Sequence, residues 1–214
     1  VYNLMGYEAA TFGNHEFDWG QTVLADRTTQ SEFPWISANI VVVDTGDCAT
    51  AGWELPPFVA SPWMTMTVGA PGNQAVIGLI GVTTQETPYI TVDWATAGLC
   101  FKDPTDAIGH YYAELAAASD AIVVLSPLGF EDGGYGYGFT VYGAKTLAQK
   151  LNTAGTPVNL IIGGHSHTDL ATATVVGDTT VAQAHYAGRK VGRATLVIDK
   201  ATGDVGITWQ RITA

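Results

Sequence analysis

Two glycine-led polar motifs, each directly after an apolar strand-like run, constrain the fold of this chain more than any other feature. The first motif is GNHEFD at residues 13–18, after the run at 9–12, and the second is GGHSHT at residues 163–168, after the run at 158–162. In layered α/β proteins, reactive side chains gather in the loops just past the carboxyl ends of the strands. The two motifs are therefore predicted to meet at one edge of a sheet.

The composition predicts a single ordered domain and excludes two classes of function. Hydrophobic residues make up 47% of the 214 residues and charged residues 14%, a balance that is typical of a globular protein. The formal net charge of −11 argues against binding a nucleic-acid polymer, which needs a basic surface. No apolar run is long enough to cross a membrane, and we expect no signal peptide within these residues. A phosphate dianion would be repelled by such a chain unless a local cation reversed the field.

Apolar runs alternate with segments of helical spacing, which predicts an α/β fold. Helices are expected over residues 104–119 and 142–151. Strands are expected over residues 34–43, 64–68, 75–82, 120–125, 171–176, 181–185, 193–199 and 205–209. Because turn residues separate the last four strands, they are predicted to form an antiparallel meander in a sheet sandwich with helices on its outer faces.

The pair His165 and His167 is the pattern most typical of a metal site. In an extended backbone, side chains two residues apart point the same way, so both imidazoles are expected to bind one metal ion or two neighbouring ions. Gly163 and Gly164 let the backbone approach a ligand closely. The alternative is a pair of structural histidines.

The first motif offers a different set of groups. Asn14 presents an amide oxygen, which suits a hard or borderline cation. His15 is expected to point toward substrate, with Asp18 accepting a hydrogen bond from its ring and fixing its tautomer. In the alternative, Asn14 caps a helix whose dipole favours the carboxylates of Glu16 and Asp18. Both interpretations can hold together.

Cys48 and Cys100 are too few and too far apart for a zinc cluster of the Cys-x-x-Cys type. Either they form one disulfide or they are two buried thiols, and the spacing does not decide between these. Few lysines and many Gly, Thr and Ala residues favour an exported protein, so we predict an extracellular or periplasmic location.

Taken together, the chain resembles the 5′-nucleotidase branch of the calcineurin-like metallophosphoesterase superfamily. The resembling segments are residues 6–18, 33–40, 76–83, 125–129 and 147–168. The resemblance implies a four-layer αββα metallophosphoesterase-like sandwich with two divalent metals (Zn, Mn or Mg) that act on a phosphate ester. It implies Asn14 and His165 as ligands of one metal and His167 as a ligand of the other. His15, oriented by Asp18, would stabilise charge on the phosphoryl group.

The chain departs from the family pattern in three places. The family's Asp-x-His and Gly-Asp motifs do not occur in the residues before Asn14, and Pro127 stands where the family has a metal-binding histidine. We also expect the family's nucleotide-specificity domain to be missing. We therefore expect residues 1–214 to form one metallophosphoesterase-like domain that is incomplete at its amino terminus. Losing ligands weakens a metal site, so at most one weakly bound ion is expected, or none, with impaired hydrolysis of a small ester or nucleotide.

Two further functions stay open. One is a metal-independent carboxylic-ester hydrolase in which Ser126 or Ser166 pairs with His165, His167 or His15, although no Gly-x-Ser-x-Gly elbow is present. The other is a non-catalytic binding domain whose exposed sheet surface supports a homodimer.

Overall fold

A six-stranded mixed sheet forms the centre of the fold. The computed structural model describes residues 1–44, 47–133 and 137–213. The strands in this part of the chain are β1 Ile40–Val42, β2 Trp63–Val68, β3 Ala75–Gly81, β4 Leu99–Phe101, β5 Ala121–Ser126, β6 Leu160–Gly163, β7 Thr174–Val176, β8 Thr179–Gln183, β9 Lys190–Ile198 and β10 Val205–Thr213. The helices are α1 Gly20–Thr29, α2 Thr87–Ile90, α3 Pro104–Ala118 and α4 Ala144–Thr153, with short 3₁₀ helices at Asn3–Met5, Asn14–Phe17 and Asp93–Thr96.

The central sheet has the order β2-β3-β5-β6-β8-β7. Strands β3, β5, β6 and β8 run parallel, and β2 and β7 pair antiparallel at the two edges. Parallel strands are buried on both faces, which is why their sequences are nearly continuous apolar runs. All four parallel strands end at the same edge of the sheet, and the second polar motif follows β6 there.

Alternate residues of these strands build two separate cores. On one face, Ile80, Val124 and Ile161 pack against α3 and α4. On the other face, their neighbours in sequence, including Leu79 and Val123, pack against Leu196, Ile207 and Trp209 of the β9–β10 hairpin and against other apolar residues. Because successive side chains point to opposite faces of a strand, one set packs on the helical layer and the other set packs on the hairpin layer.

The expected four-layer sandwich is present only in part. The described residues form a helical layer, the mixed sheet and a two-stranded sheet, β10-β9, over its second face. This is an α/β fold with a mixed central sheet. The prediction of a carboxy-terminal meander is wrong, because β7 and β8 complete the central sheet and β9 pairs only with β10.

The amino-terminal part forms a third core of aromatic side chains. Phe12, Phe17, Phe58 and Phe101 are all buried, and the ring centroids of Phe12 and Phe17 lie 6.5 Å apart. The strand expected over residues 34–43 is reduced to β1, with isolated bridges from Trp35 and Ile36. Helix α1 was not predicted, because only Gly20 and Leu24 of its ten residues are buried and its apolar pattern is weak.

The two cysteines are joined in a disulfide between Cys48 and Cys100 of β4, with Cα atoms 5.3 Å apart. The sequence left open whether the two cysteines form a disulfide or remain buried thiols, and the structure has the disulfide. Such a bond is consistent with an oxidising compartment. None of the helices in the described ranges is long and apolar enough to cross a lipid bilayer.

Candidate functional site

The two motifs meet at the carboxyl edge of the central sheet. Asn14 begins the short 3₁₀ helix Asn14–Phe17, and His165 lies just after β6. The Asn14 Oδ1 atom is 3.0 Å from His165 Nδ1, across 151 residues of sequence. Asn14 is only 8% exposed, so this contact is largely shielded from water.

The turn that presents Asn14 is fixed from both ends. The backbone N–H of Gly13 donates to the carboxylate of Glu16 at 2.6 Å, and the fully buried ring of Phe17 anchors the turn in the aromatic core. Burial raises the pKa of Glu16 even though backbone N–H groups stabilise its charged form. The expectation that Asn14 caps a helix through its side chain is not met, because the residue before the turn is Gly13.

A residue that the sequence analysis missed completes the surroundings of His165. Glu86 Oε1 lies 2.6 Å from His165 Nε2, and Glu86 is 7% exposed. Glu86 follows β3 and directly precedes α2. The signal that could have found it is its place in the polar segment 83–86, which follows the buried strand β3 as the second motif follows β6.

The prediction that His165 and His167 point the same way from an extended backbone is wrong. Both residues have positive φ, 72° and 57°, so the alternation of an extended chain does not apply. His165 contacts Asn14 and Glu86, whereas the ring of His167 stacks on Tyr186 with centroids 4.5 Å apart. Left-handed backbone costs free energy at residues other than glycine and is concentrated at functional sites.

His15 and Asp18 form a separate pair beside this centre. His15 Nδ1 lies 2.8 Å from Asp18 Oδ2, and the side chains are 79% and 45% exposed. An acceptor at Nδ1 leaves Nε2 of His15 open to solvent or a substrate. The arrangement has the geometry that the resemblance implies, and the catalytic role of the pair stays a prediction.

The two serines considered as nucleophiles do not pair with histidine among the described residues. Ser126 ends β5, is 1% exposed, and its Oγ has no hydrogen-bond partner there. Ser166 Oγ accepts the N–H of Phe130 at 3.0 Å and lies 2.8 Å from Thr168 Oγ1. Ser166 therefore ties the His-x-His turn to the loop after β5, which is a structural task.

Pro127 does stand between the motifs, where the resemblance leads one to expect a metal-binding histidine. A side-chain carbon on Gly164 would lie 3.6 Å from Pro127 Cα, and one on Gly13 would lie 3.9 Å from Pro127 Cβ. The proline ring thus occupies the position and offers no ligand atom.

The described residues bring together only part of the ligand set that the resemblance implies. Two ligand atoms that bind one ion at about 2.1 Å, with a right angle between the two bonds, are about 3 Å apart. Asn14 Oδ1 and His165 Nδ1 lie 3.0 Å apart. Nowhere in residues 1–44, 47–133 and 137–213 do three His, Cys, Asp or Glu side chains gather closely enough to hold a metal. The resemblance assigns Asn14 and His165 to one metal ion, and their role as ligands stays a prediction.

Comparisons with known proteins agree with this architecture. No model of a known protein family matches the chain. The chain is 31% identical to rat 5′-nucleotidase over 172 residues, which are 79% of this chain and 25% of that protein. It is 30% identical to protein UshA of Salmonella pullorum over 211 residues, 90% of this chain and 35% of UshA. The chain thus spans between a quarter and about a third of the length of these relatives.

A solved structure matches almost the whole fold. A Staphylococcus aureus protein described as a 5′-nucleotidase superposes with a TM-score of 0.78 and 25% identity, covering 99% of this chain and 39% of that one. The α/β fold with its mixed central sheet matches the catalytic region of 5′-nucleotidases. The chain belongs to the 5′-nucleotidase family of the metallophosphoesterase superfamily.

Proposed function

We propose that the chain hydrolyses phosphomonoesters, nucleoside monophosphates in particular, at the Asn14–His165 centre with a single divalent cation. The observation that supports this most directly is the convergence of Asn14 and His165 to 3.0 Å from opposite ends of the chain. When bound, such a cation polarises the phosphate ester and supplies an activated water. The relatives named 5′-nucleotidase suggest the nucleotide as substrate.

His15 is assigned the task of stabilising charge on the phosphoryl group. Asp18 accepts from the Nδ1 side of the ring, which fixes the tautomer and leaves Nε2 for the substrate. The exposed position of His15 makes it accessible to a ligand that enters from solvent.

One cation beside the His-x-His turn supports an anionic substrate in spite of the net charge of −11. The Cζ atom of Arg189 lies 4.5 Å from the centroid of the Tyr186 ring on which His167 stacks. The ion pairs found among the described residues give Arg189 no carboxylate partner, so its charge is available to an anion.

The test compares two substrates and two kinds of variant. We expect hydrolysis of a nucleoside monophosphate that is lost with chelator, restored by Mn²⁺ or Zn²⁺, and reduced at least about 100-fold in His165→Ala. Ser166→Ala and Ser126→Ala are the controls and should keep this activity. Cleavage of a short acyl ester that resists chelator and is lost in a serine variant would instead support the esterase alternative.

Absence of turnover on both substrates at full metal loading would contradict the proposal and leave the non-catalytic binding domain. In that case the outer face of the β9–β10 hairpin, with Val191 and Val197 more than half exposed, is the surface for a second copy of the chain. We also propose an extracellular or periplasmic location, which the Cys48–Cys100 disulfide supports.

A further inference from the structure

A large cavity, here named the α1 cavity, opens beside the His15–Asp18 pair. Its volume is about 680 Å³, within the range of roughly 300–1,000 Å³ that is typical of sites for small molecules. The aromatic side chains of Tyr2, Trp19 and Trp35 line it, and so does His15. Aromatic walls beside a candidate catalytic group are typical of a site that binds a planar ligand.

The residues along one side of α1 give this cavity an exposed apolar wall. Trp19, Val23 and Arg27 follow one another at intervals of four residues, so their side chains lie on the same side of the helix. Trp19 directly precedes α1 and is 77% exposed. Tryptophan is highly buried in the average protein, so an indole this open at a cavity wall is available to a ligand that covers it.

The polar groups that a ligand could use lie at the two ends of this wall. His15 precedes α1, and Asp18 engages its Nδ1 and leaves its Nε2 free. Toward the other end of α1, Arg27 Nη1 donates to Gln30 Oε1 at 2.8 Å. Trp19 and Arg27 are eight residues apart, which corresponds to about 12 Å along a helix axis. The ion pairs within residues 1–44, 47–133 and 137–213 give Arg27 no carboxylate partner, so its charge is available to a ligand.

Hydrogen bonds hold the inner wall of the α1 cavity in place. The indole N–H of Trp35 donates to Ser31 Oγ at 2.9 Å, and its ring centroid lies 5.1 Å from that of the buried Phe12. Glu16 also lines the cavity, and its carboxylate accepts the N–H of Gly13 at 2.6 Å. Side chains that are already fixed lose little conformational entropy when a ligand binds.

We propose that the α1 cavity binds the nucleoside part of a nucleoside monophosphate, with the base stacked on Trp19 and the phosphate toward His15. The proposal deepens the proposed function and rests on it for the identity of the ligand. Every nucleobase has an aromatic face, and removing a side chain on which a base stacks weakens binding about 5–150-fold. Arg27 then donates to acceptor atoms at the edge of the base, as arginine does to O6 and N7 of guanine.

The experiment compares a ligand that has a base with one that lacks it. GMP and ribose 5-phosphate carry the same phosphate ester, and only GMP offers a base to Trp19. By calorimetry in the presence of chelator, we expect the wild type to bind GMP more tightly than ribose 5-phosphate. Trp19→Ala should weaken GMP binding about 5–150-fold, and Trp19→Phe should weaken it less, because it keeps an aromatic face. Arg27→Gln should also weaken GMP binding.

Turnover separates binding of the base from the chemical step. With metal restored, Trp19→Ala should raise the KM for GMP and leave the kcat/KM for ribose 5-phosphate unchanged. Tyr89→Ala is the matched control, because Tyr89 is an exposed aromatic residue on α2 outside the α1 cavity. The control should change neither the affinity nor the KM for GMP.

The outcomes are distinct for the two proposals. GMP binding that depends on Trp19 in a chain without turnover supports the α1 cavity and contradicts the proposed function. Turnover of GMP with the same KM in the wild type and Trp19→Ala supports the function and overturns the role of the cavity. Equal affinity of the wild type for GMP and ribose 5-phosphate, or an equal loss in Tyr89→Ala, also overturns it. Absence of both GMP binding and turnover overturns both proposals.

Discussion

At the residue scale, Gly81 shows how tightly the end of β3 is packed beneath the site. A side-chain carbon at this position would lie 2.2 Å from the backbone oxygen of Ile36 and 2.7 Å from Thr11 Oγ1. Because backbone atoms cannot rotate away, any side chain here separates β3 from the segment that leads to Asn14.

Gly81→Ala is therefore expected to lower the free energy of unfolding by about 1–3 kcal/mol, the usual range for overpacking. Gly109→Ala is the matched control, since that glycine lies exposed in α3 with nothing near its added carbon. The control should stabilise the protein by about 0.5–1 kcal/mol, because alanine favours the helix. Urea unfolding measures both, and equal effects of the two variants would contradict the packing argument.

The sequence could identify a site residue only where that residue stands in a recognisable local motif. Asn14 and His165 stand in glycine-led motifs and were identified by residue type and spacing. Glu86 lies in a stretch of threonines with no such marker, and only its contact across the fold gives it meaning. The orientation of His167 was mispredicted because the backbone φ of a loop residue depends on the loops that pack against it.

At the element scale, α3 begins with a well-built cap. Asp103 Oδ1 accepts the N–H of Thr105 at 2.7 Å and of Asp106 at 3.3 Å, and Pro104 occupies the first helical position. The sequence predicted this helix almost to the residue, over 104–119 against the observed Pro104–Ala118. Burial opposes ionisation of Asp103, but hydrogen bonds from Tyr142 and the backbone, with the charge of Lys150, outweigh it and lower its pKa.

Asp103→Ala should therefore destabilise the protein by about 1 kcal/mol at pH 7, as loss of a helix cap does. A carboxyl with a lowered folded-state pKa stabilises the fold above its ordinary pKa, near 3.9, and this stabilisation is lost as pH falls through the lowered value. The difference between wild type and variant in urea unfolding should thus shrink below about pH 4. A difference that is constant from pH 7 to pH 2 would rule out the charged form of Asp103 as its source.

At the scale of the whole molecule, the Cys48–Cys100 disulfide closes a loop with a sequence separation of 52 residues. For a loop of this length, the chain-entropy model gives a stabilisation of about 4 kcal/mol. We expect Cys48→Ser with Cys100→Ser, or reduction of the wild type, to lower the free energy of unfolding by about 2–4 kcal/mol in urea. Identical stability of the oxidised and reduced chains would show that the bond is not formed in solution.

The sequence allowed the layers to be predicted better than their connections. Apolar runs such as those of β3, β5 and β6 identify buried strands wherever they pair. Pairing partners are set by contacts between distant segments, so neither the parallel pairing of β8 with β6 nor the isolation of the β9–β10 hairpin was visible in the chain. The strand expected at residues 34–39 was replaced by single bridges for the same reason.

The distance in sequence between Asn14 and His165 has a consequence for the chain during its synthesis. A nascent polypeptide still growing on the ribosome carries the asparagine long before the histidine has emerged from the exit tunnel. Any chemistry that depends on their contact must therefore wait until β6 and the turn after it have joined the sheet. A centre that needs both residues therefore cannot form before residue 165 has been synthesised.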